Sequence, residues 1–435
     1  MAESITGQAL QSPDDDPARS NFLLSPKLHE FYNTHIDAVQ SLLSSDLKLP
    51  RFVRLNPRYE QEETLSMLTA EMQHAPKQIT WLDSSLGFFA VGGEFKLAQS
   101  ASFRSGRVYG MDVSSGAAVA ALLSDRYDKK KFESRDAESE DFRVLDLCCC
   151  PGLKLCAIAD ILISKPNTVN VVGVDISEQR LSLCKKIIKK YHVDPMTSGR
   201  KSDRKSNLSI RLYHADGVSF GTKTGANKIV FDSGAALEDS CHAGKRKRMN
   251  KSARAREKKK LGTLRSLDLT EALRVQNNAS EVQQFDRVLV DAECTTDGSI
   301  KHMQQQLRKS VLFRSNETAA QCLENRTLTD PTQLGKLVEL QQSLISTGFR
   351  LLKSGGFLVY STCSLSTEQN EHVVQWLLGD NPCSAELVPV SFNANSVSVV
   401  EGKIPGTVRF LPTVPGDDAN DFFGGGFFLA KIRKL

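Results

Sequence analysis

Two cysteines and an aspartate stand where an α/β enzyme places its reacting groups. Cys363 follows the apolar run Phe357–Tyr360, and this pattern predicts a buried strand that ends near the thiol. Asp291 and Cys294 follow a second apolar run at Arg287–Val290. A free cysteine at a strand end is more often a small buried hydrophobe. However, α/β sheets bind ligands at the carboxyl ends of their strands, so the three side chains are candidates for chemistry.

Covalent attack on a pyrimidine base is the chemistry that two thiols and a carboxylate suit. A thiolate adds to C6 of the base and makes C5 nucleophilic. A carboxylic acid near N3 stabilises the charge that develops. A second base removes the C5 proton after methyl transfer.

A turn after the predicted strand Val144–Leu147 is suited to a polar or anionic ligand. A helix predicted at Cys156–Ile163 follows it, and its N-terminus and the turn's N–H groups would face the ligand. The sequence is not G-x-G-x-x-G, so a dinucleotide fold is not indicated. The alternative is an ordinary βα connection. The turn consists of Cys148, Cys149, Cys150, Pro151, Gly152, Leu153 and Lys154.

Three adjacent cysteines, Cys148 to Cys150, raise the question of a metal. Neighbouring side chains at a strand end diverge, and no C-x-x-C pair accompanies these three. We therefore predict no metal ligand in this chain.

Acidic residues follow the next two predicted strands. Asp175 ends the strand Val169–Val174, 21 residues after Lys154. An acidic residue at this place hydrogen-bonds a ribose diol in nucleoside-binding α/β folds. Asp216 follows the strand Leu208–Tyr213, where it could meet an adenine amino group. With the turn, these carboxylates favour a nucleoside ligand.

Alternation of strands and helices from residue 144 onward predicts βαβ units and a mostly parallel sheet. Residues 1–25 are predicted to be a disordered tail, and 26–110 a small α+β domain. Residues 111–435 form the α/β domain, with an irregular basic insertion at about 221–283. Further helices are predicted at Leu28–Leu43, Thr64–Met72, Ala117–Leu123, Gln179–Tyr191, Leu337–Leu352 and Thr367–Leu378, and further strands at Phe52–Pro57 and Phe427–Ile432.

The composition is that of a globular protein, with 40% hydrophobic and 25% charged residues in 435. No apolar stretch approaches the roughly 20 residues of a membrane helix. The polar N-terminus lacks a signal core, so we expect an intracellular protein with reduced thiols. Residues 245–260 hold ten basic groups in a chain of net charge +5. Lys245-Arg246-Lys247-Arg248 suggests a nuclear or nucleolar location or nucleic-acid binding; an inert solvated loop is the alternative.

The chain's motifs resemble those of the Nop/Sun-type (RsmB/NOP family) RNA cytosine-C5 methyltransferases and occur in that family's order. The resemblance covers about 106–435 and extends weakly to Phe52–Pro57. It rests on Val144–Lys154, similar to VLDxCAAPGGK; Val174–Leu181; Asp291–Cys294, in place of Asp-Ala-Pro-Cys; Tyr360–Ser364 with Gln369–Glu371, similar to YSTCS…ENE; Leu340-Gln341 before Gly355-Gly356; and Gly426–Ala430, similar to a terminal GFF strand.

The resemblance implies a Rossmann-like class I methyltransferase sheet, mostly parallel with the last strand antiparallel, beside a small N-terminal α+β domain of RNA-binding type. It also implies S-adenosyl-L-methionine as cofactor and RNA as partner, with tRNA or rRNA favoured. We expect a monomer that does not associate with a membrane.

Roles follow residue by residue from the resemblance. Cys363 corresponds to the nucleophile, Cys294 to the thiol that helps release the product, and Asp291 to a contact of the target base or the cofactor. The family's cofactor-binding positions correspond to the turn from Cys148 to Lys154 together with Asp175, Arg180, Asp216 and Asp291.

Three residues depart from the family pattern. Glu293 replaces a proline before Cys294, Leu153 replaces the second glycine of the turn, and Leu155 replaces a small hydroxyl residue. Leu153 must therefore adopt a negative φ. Glu293 brings a charge and a less rigid backbone to the fourth-strand motif. The alternative function is a catalytically weakened relative that acts as an RNA-binding or scaffold protein.

Overall fold

The computed structural model describes residues 39, 41–43, 49–124, 141–163, 168–193, 207–223, 225–233, 284–305, 330–392, 399–412 and 425–435. The predicted tail at 1–25, most of the predicted helix Leu28–Leu43 and the basic block at 245–260 lie outside these residues. Among the described residues, no helix is long and apolar enough to cross a membrane.

The described residues form a small N-terminal sheet and a large α/β sheet. The strands are β1 Arg51–Leu55, β2 Lys77–Gln78, β3 Phe88–Val91, β4 Val108–Gly110, β5 Phe142–Asp146, β6 Val169–Asp175, β7 Leu208–His214, β8 Lys228–Asp232, β9 Phe285–Asp291, β10 Leu352–Thr362, β11 Ala385–Val388, β12 Val399–Glu401, β13 Val408–Phe410 and β14 Phe427–Lys434. The helices are α1 Gln61–Met72, α2 Ala101–Arg104, α3 Val113–Leu123, α4 Leu153–Leu162, α5 Glu178–Ile188, α6 Pro331–Leu351 and α7 Glu371–Asp380, with a π-helical turn at Lys189–Val193.

The large sheet has the order β12-β13-β14-β10-β9-β5-β6-β7-β8, and β11 also pairs with β14. Its central strands β10, β9, β5, β6 and β7 are parallel, whereas β14 runs antiparallel to β10. The chain winds from β5 toward β7 and then returns to the other side of β5. This reversal opens a crevice beyond the carboxyl ends of β5 and β9, which is where such sheets bind ligands.

Burial on both faces explains why the central strands are nearly continuous apolar runs. Helices α4 and α5 cover one face and α6 covers the other, so the sheet separates two apolar clusters. Asp330 fixes the start of α6 because its carboxylate accepts hydrogen bonds from the N–H groups of Thr332 and Gln333. The fold therefore agrees with the predicted mostly parallel sheet and its antiparallel last strand.

The N-terminal strands form a separate antiparallel sheet in the order β2-β3-β1-β4. This sheet is fixed to the helix that follows the predicted ligand-binding turn. Arg54 of β1 donates to a carboxylate oxygen of Asp160 on α4 at 2.8 Å, and the Tyr109 hydroxyl donates to the same oxygen at 2.8 Å. Because all three side chains are buried, these bonds hold the two sheets in a defined orientation.

Several predicted boundaries differ from the structure. The predicted irregular insertion contains β8, whose buried Phe231 covers the edge of β7, so the prediction of irregular structure is wrong at 228–232. Helix α4 begins at Leu153 rather than Cys156, directly after Gly152. Helix α7 begins at Glu371 rather than Thr367, because residues 367–370 form a turn. Gln369 of this turn contacts the candidate active site described below.

Candidate active site

The two candidate cysteines lie side by side at the ends of β9 and β10. The parallel register places Asp291 opposite Ser361, so the residues that follow these two positions leave the sheet together. The sulfur atoms of Cys294 and Cys363 are 3.3 Å apart, and both side chains are half-buried. The sequence prediction that both thiols share one sheet edge is therefore met by direct contact.

A buried carboxamide ties the two cysteine-bearing loops together. Gln369 accepts a hydrogen bond from the N–H of Thr295 at 3.0 Å. Its amide nitrogen donates to the hydroxyls of Thr295 at 2.9 Å and Ser364 at 3.0 Å. Gln341 of α6 donates to the carbonyl of Glu293 at 2.7 Å. These bonds hold the residue next to each cysteine, so neither loop can move independently.

Close backbone contact completes this arrangement. The N–H of Gly298 donates to the carbonyl of Cys363 at 3.0 Å. A Cβ at position 298 would lie 2.8 Å from that carbonyl oxygen and 2.5 Å from the carbonyl oxygen of Gly426. Only glycine fits here, because a real Cβ does not approach backbone atoms so closely. Asp297 binds the same pair of loops, accepting from the N–H of Leu365 at 2.8 Å.

Burial and a hydrogen bond keep the Cys294 thiol protonated. Its hydrogen bond with Cys363, together with burial, raises the pKa of the Cys294 thiol well above its ordinary value. Cys294 therefore shares a sulfur–sulfur hydrogen bond with Cys363 as a neutral thiol.

Lys154 connects the predicted turn with the fourth-strand motif. Its ammonium group is 2.6 Å from one carboxylate oxygen of Asp291, while Ser361 donates to the other oxygen at 2.7 Å. Burial would lower the pKa of Lys154, but the charges of Asp291, Asp146 and Cys363 outweigh burial and raise it. The Lys154 ammonium therefore remains charged at neutral pH and lies near both Asp291 and Cys363.

Asp146, the last residue of β5, is a functional candidate that sequence reasoning missed. Its side chain is 1% exposed, and burial raises its pKa to about 8 against an opposing effect of Lys154. One carboxylate oxygen, Oδ1, is buried and has no hydrogen-bond partner among the described residues. A buried polar atom without a partner costs free energy, which a bound polar ligand would recover.

The turn after β5 has the geometry of a ligand cradle. Gly152 has φ = 102°, and a Cβ there would lie 2.5 Å from the sulfur of Cys184, so this position requires glycine. Leu153 is the first residue of α4 and has no left-handed backbone, as the sequence analysis required. The first N–H groups of a helix have no partner within the helix, so the start of α4 supplies donors at this cradle.

Asp175 and Arg180 lie beside this cradle, as the sequence predicted. Asp175 accepts from the N–H of Ser177 at 2.8 Å and from the N–H of Cys150 at 3.3 Å. Arg180 donates to the carbonyl of Cys150 at 2.9 Å and is 3.7 Å from the Asp175 carboxylate. Asp216 is exposed at the same sheet edge and accepts from the N–H of Val218 at 3.0 Å.

An open cavity of about 730 Å³ lies between the N-terminal sheet and this edge. Cys363 and Lys154 line it from the α/β domain, and Arg51 and Lys96 line it from the N-terminal domain. The size is in the range of pockets for small molecules or a single nucleotide. Cys363 therefore lines a cleft between the domains to which both domains contribute basic side chains.

Gln341, Ser361 and Gln369 also escaped assignment from sequence. All three belong to stretches that resemble family motifs, but their roles depend on which backbone groups they meet. The role of Ser361 could in principle have been predicted from the sequence, because the parallel register pairs Ser361 with Asp291. Nothing in the spacing of Gln341 or Gln369 indicates a contact with the loop after β9.

Comparison with solved structures identifies the class of fold. A methyltransferase homologue from Pyrococcus horikoshii aligns with a TM-score of 0.53 at 20% identity, covering 94% of this chain and 93% of that one. NSun6 from the same organism, solved with SFG, aligns with a TM-score of 0.55 at 15% identity, covering 94% and 98%. The fold is therefore the Rossmann-like fold of class I methyltransferases, with a small N-terminal domain.

Sequence comparison then finds a similar family. Residues 240–433 match the family model of the 16S rRNA methyltransferases RsmB/F, a range that includes Asp291, Cys294 and Cys363. This part of the chain is similar to the RsmB/F methyltransferases, which confirms the resemblance noted from its motifs.

Individual relatives match over a shorter region. Ribosomal RNA small subunit methyltransferase F from Vibrio parahaemolyticus is 35% identical over 155 residues, and methyltransferase B from Pasteurella multocida is 31% identical over 152 residues. Each match covers 35% of this chain and only 26% of the relative. Both relatives are bacterial, so they lend no support to the suspected nuclear or nucleolar location.

Proposed function

We propose that this protein is an S-adenosylmethionine-dependent RNA methyltransferase that forms 5-methylcytosine. The observation that carries the proposal is the contact of the Cys294 and Cys363 sulfurs at 3.3 Å on the sheet edge beside Lys154. The two thiols lie next to a basic cleft, where a base extruded from RNA could reach Cys363.

Cys363 acts as the nucleophile. Its sulfur forms a bond to C6 of cytosine, and the electron pair of the C5–C6 double bond moves to C5. Lys154 and the Cys294 thiol stabilise the thiolate before attack. Asp291, held by Lys154 and Ser361, offers its carboxylate to the base.

Cys294 acts when the product is released. Loss of the C5 proton and departure of the Cys363 sulfur from C6 restore the aromatic base. The hydrogen bond with Cys363 is the main reason that the pKa of Cys294 is raised. Once Cys363 is bonded to carbon, that cause disappears while burial remains. Cys294 then gives its proton to solvent and, as a thiolate, takes the proton from C5, so that the C5–C6 double bond forms again as the C6–sulfur bond breaks.

S-adenosylmethionine would supply an electrophilic methyl group to C5. Three features support its binding at the turn after β5: the unpartnered oxygen of Asp146, the close backbone approach at Gly152 and the carboxylate of Asp175. The carboxylate of Asp175 would accept hydrogen bonds from the ribose hydroxyls. The backbone of Cys148, Cys149, Cys150, Pro151, Gly152 and Leu153 would surround the ligand, with Arg180 and Asp216 at its border.

RNA of the tRNA or rRNA class is the proposed substrate, bound by a monomer. Basic side chains of both domains line the cleft, which suits contacts with phosphate groups. Glu293, the residue that departs from the family pattern, is exposed, and its carbonyl accepts from Gln341 at 2.7 Å. This bond supports a loop that keeps its position without the proline.

The test is methylation of separately purified tRNA and rRNA from cells that lack the protein, with radiolabelled S-adenosylmethionine and mass spectrometry of the nucleosides. We expect label in 5-methylcytosine with wild type and none with Cys363→Ala. Cys294→Ala should trap an RNA adduct that survives a denaturing gel, whereas Cys383→Ala, which changes an exposed thiol, should behave as wild type. RNA binding without methylation of either RNA would favour the scaffold alternative.

A further inference from the structure

A second group of thiols lies inside the protein, away from Cys294 and Cys363, which are the catalytic pair of the proposed function. Cys149 and Cys150 of the turn and Cys184 of α5 have their three sulfur atoms within 4.8 Å of one another. Their residues are 3%, 8% and 0% exposed. Cys148 points to the other side of the sheet, where it packs against the apolar cluster of α6. We call Cys149, Cys150 and Cys184 the thiol triad.

Backbone contacts bring the triad together. The N–H of Cys149 donates to the carbonyl of Val174 at 2.9 Å, which fixes the turn to the end of β6. Arg180 in the first turn of α5 donates to the carbonyl of Cys150 at 2.9 Å. Gly152 approaches Cys184 so closely that no side chain fits between them. The sulfurs are thus positioned before any ligand binds.

The convergence and burial of the triad suit a cation. Three sulfur atoms that meet in a buried site can exchange their protons for one metal ion.

We propose that the thiol triad is a binding site for a soft divalent cation of the Zn²⁺ class. Three S–H protons are released and three sulfur–metal bonds form, with no change of oxidation state. Zn–S bonds of about 2.3 Å place neighbouring sulfurs about 4 Å apart, which fits a triad whose sulfurs lie within 4.8 Å. Thiolates select soft ions over Mg²⁺ or Ca²⁺.

The sequence prediction of no metal ligand rested on the divergence of adjacent side chains. That argument holds for Cys148, which lies apart from the other two. It does not hold for Cys149 and Cys150, because the chain has left the strand and turns between them. The third ligand, Cys184, comes from a separate helix and has no spacing signature.

The test is titration of the reduced, metal-free full chain with Cd²⁺, followed by ultraviolet thiolate-to-metal charge-transfer absorbance. The catalytic pair could also bind Cd²⁺, so the titration uses the Cys294→Ala/Cys363→Ala background. We expect one tight equivalent that Zn²⁺ displaces, and a rise in melting temperature on binding. Cys184→Ala should weaken binding by about 100-fold or more through loss of one ligand in three. Cys383→Ala should bind as the background protein does.

Cys184→Ser and Cys150→Ala guard against a folding artefact. Each removes one sulfur ligand and disturbs the packing less than Cys184→Ala does. Each should lower the affinity for Cd²⁺, while the circular dichroism spectrum stays that of the background protein. Absence of a tight equivalent in the background protein would overturn the proposal. So would undiminished affinity in folded Cys184→Ser and Cys150→Ala.

Discussion

The catalytic pair and the thiol triad show two ways in which one fold brings thiols together. Cys294 and Cys363 follow the ends of neighbouring strands and are half-buried, and Cys363 lines an open cleft. The triad lies under the cofactor turn, where the turn packs against α5. The pair is held mainly by side-chain hydrogen bonds from Gln369 and Asp297, the triad mainly by close backbone packing at Gly152.

This difference separates what the two groups can do. A sulfur that faces a cleft can approach a carbon atom of a large substrate, whereas a buried sulfur can only meet a small ligand. In the pair, one of two contacting sulfurs faces the cleft, where a large substrate can reach it. In the triad, three sulfurs meet in a closed volume that suits a single small cation. Exposure and geometry, more than residue type, decide between catalysis and binding.

Removal of the nucleophile should give the largest effect. Cys363→Ala should lower methyl transfer by about 10⁴-fold or more, because no other group replaces a covalent nucleophile. The melting temperature should stay close to that of wild type, since Cys363 is half-buried. Single-turnover methylation measures the first quantity and calorimetry the second. Residual activity within tenfold of wild type would mean that another side chain is the nucleophile. The functional difference between the pair and the triad would then no longer hold.

Replacement of Lys154 tests whether charge activates the pair. Lys154→Met should lower kcat by about 10²–10³-fold, because Cys363 loses the cation that favours its thiolate and Asp291 loses its partner. Lys154→Arg keeps the charge and should recover part of the loss. The rate of alkylation of Cys363 at a fixed neutral pH, resolved by peptide mass spectrometry, should fall in Lys154→Met and recover in Lys154→Arg. An unchanged alkylation rate in Lys154→Met would contradict the electrostatic role.

Gln369 tests how far the pair depends on its side-chain support. Gln369→Ala leaves the N–H of Thr295 and the hydroxyl of Ser364 without their partner, which should cost about 1–3 kcal/mol in unfolding free energy. It should also lower kcat more than it raises KM, since it displaces the reacting groups. Gln333→Ala is the matched control, because Gln333 is exposed in the first turn of α6 and its amide donates to the Asp330 carboxylate at 2.9 Å. Equal behaviour of the two variants in denaturant titration would rule out the positioning role.

The catalytic half of this comparison could be predicted from the sequence, and the triad could not. Parallel strands end at a common edge, so apolar runs that end at Asp291 and near Cys363 were enough to place these residues together. The contact between Cys184 and the turn depends instead on how α5 packs, which no spacing records. The same reason hid Gln369, whose partner Thr295 lies 74 residues away in the chain. Strand β8 was missed because its apolar run is short and its flanks are polar.

Asp146 is near both the pair and the triad. Its titration should change the unfolding free energy, and per pH unit this is the smallest of the predicted effects. Its pKa of about 8 in the folded protein exceeds its ordinary value of 3.8, so the native state holds a proton that the unfolded state has lost between these values. Unfolding free energy should therefore fall as pH rises across this window, by at most about 1.4 kcal/mol per pH unit from this group.

Asp146→Asn is the test, because a neutral amide of the same shape has no proton to lose. The variant should match wild type near pH 4 and become progressively more stable than wild type as pH rises toward 8, as measured by denaturant unfolding at each pH. Asp216→Asn changes an exposed carboxylate after strand β7. This control should leave the pH dependence of the unfolding free energy as it is in wild type. Parallel stability curves for wild type and Asp146→Asn would mean that Asp146 is ionised in the folded protein. Asp146 would then be negatively charged at neutral pH, and its charge would act on both the catalytic pair and the thiol triad.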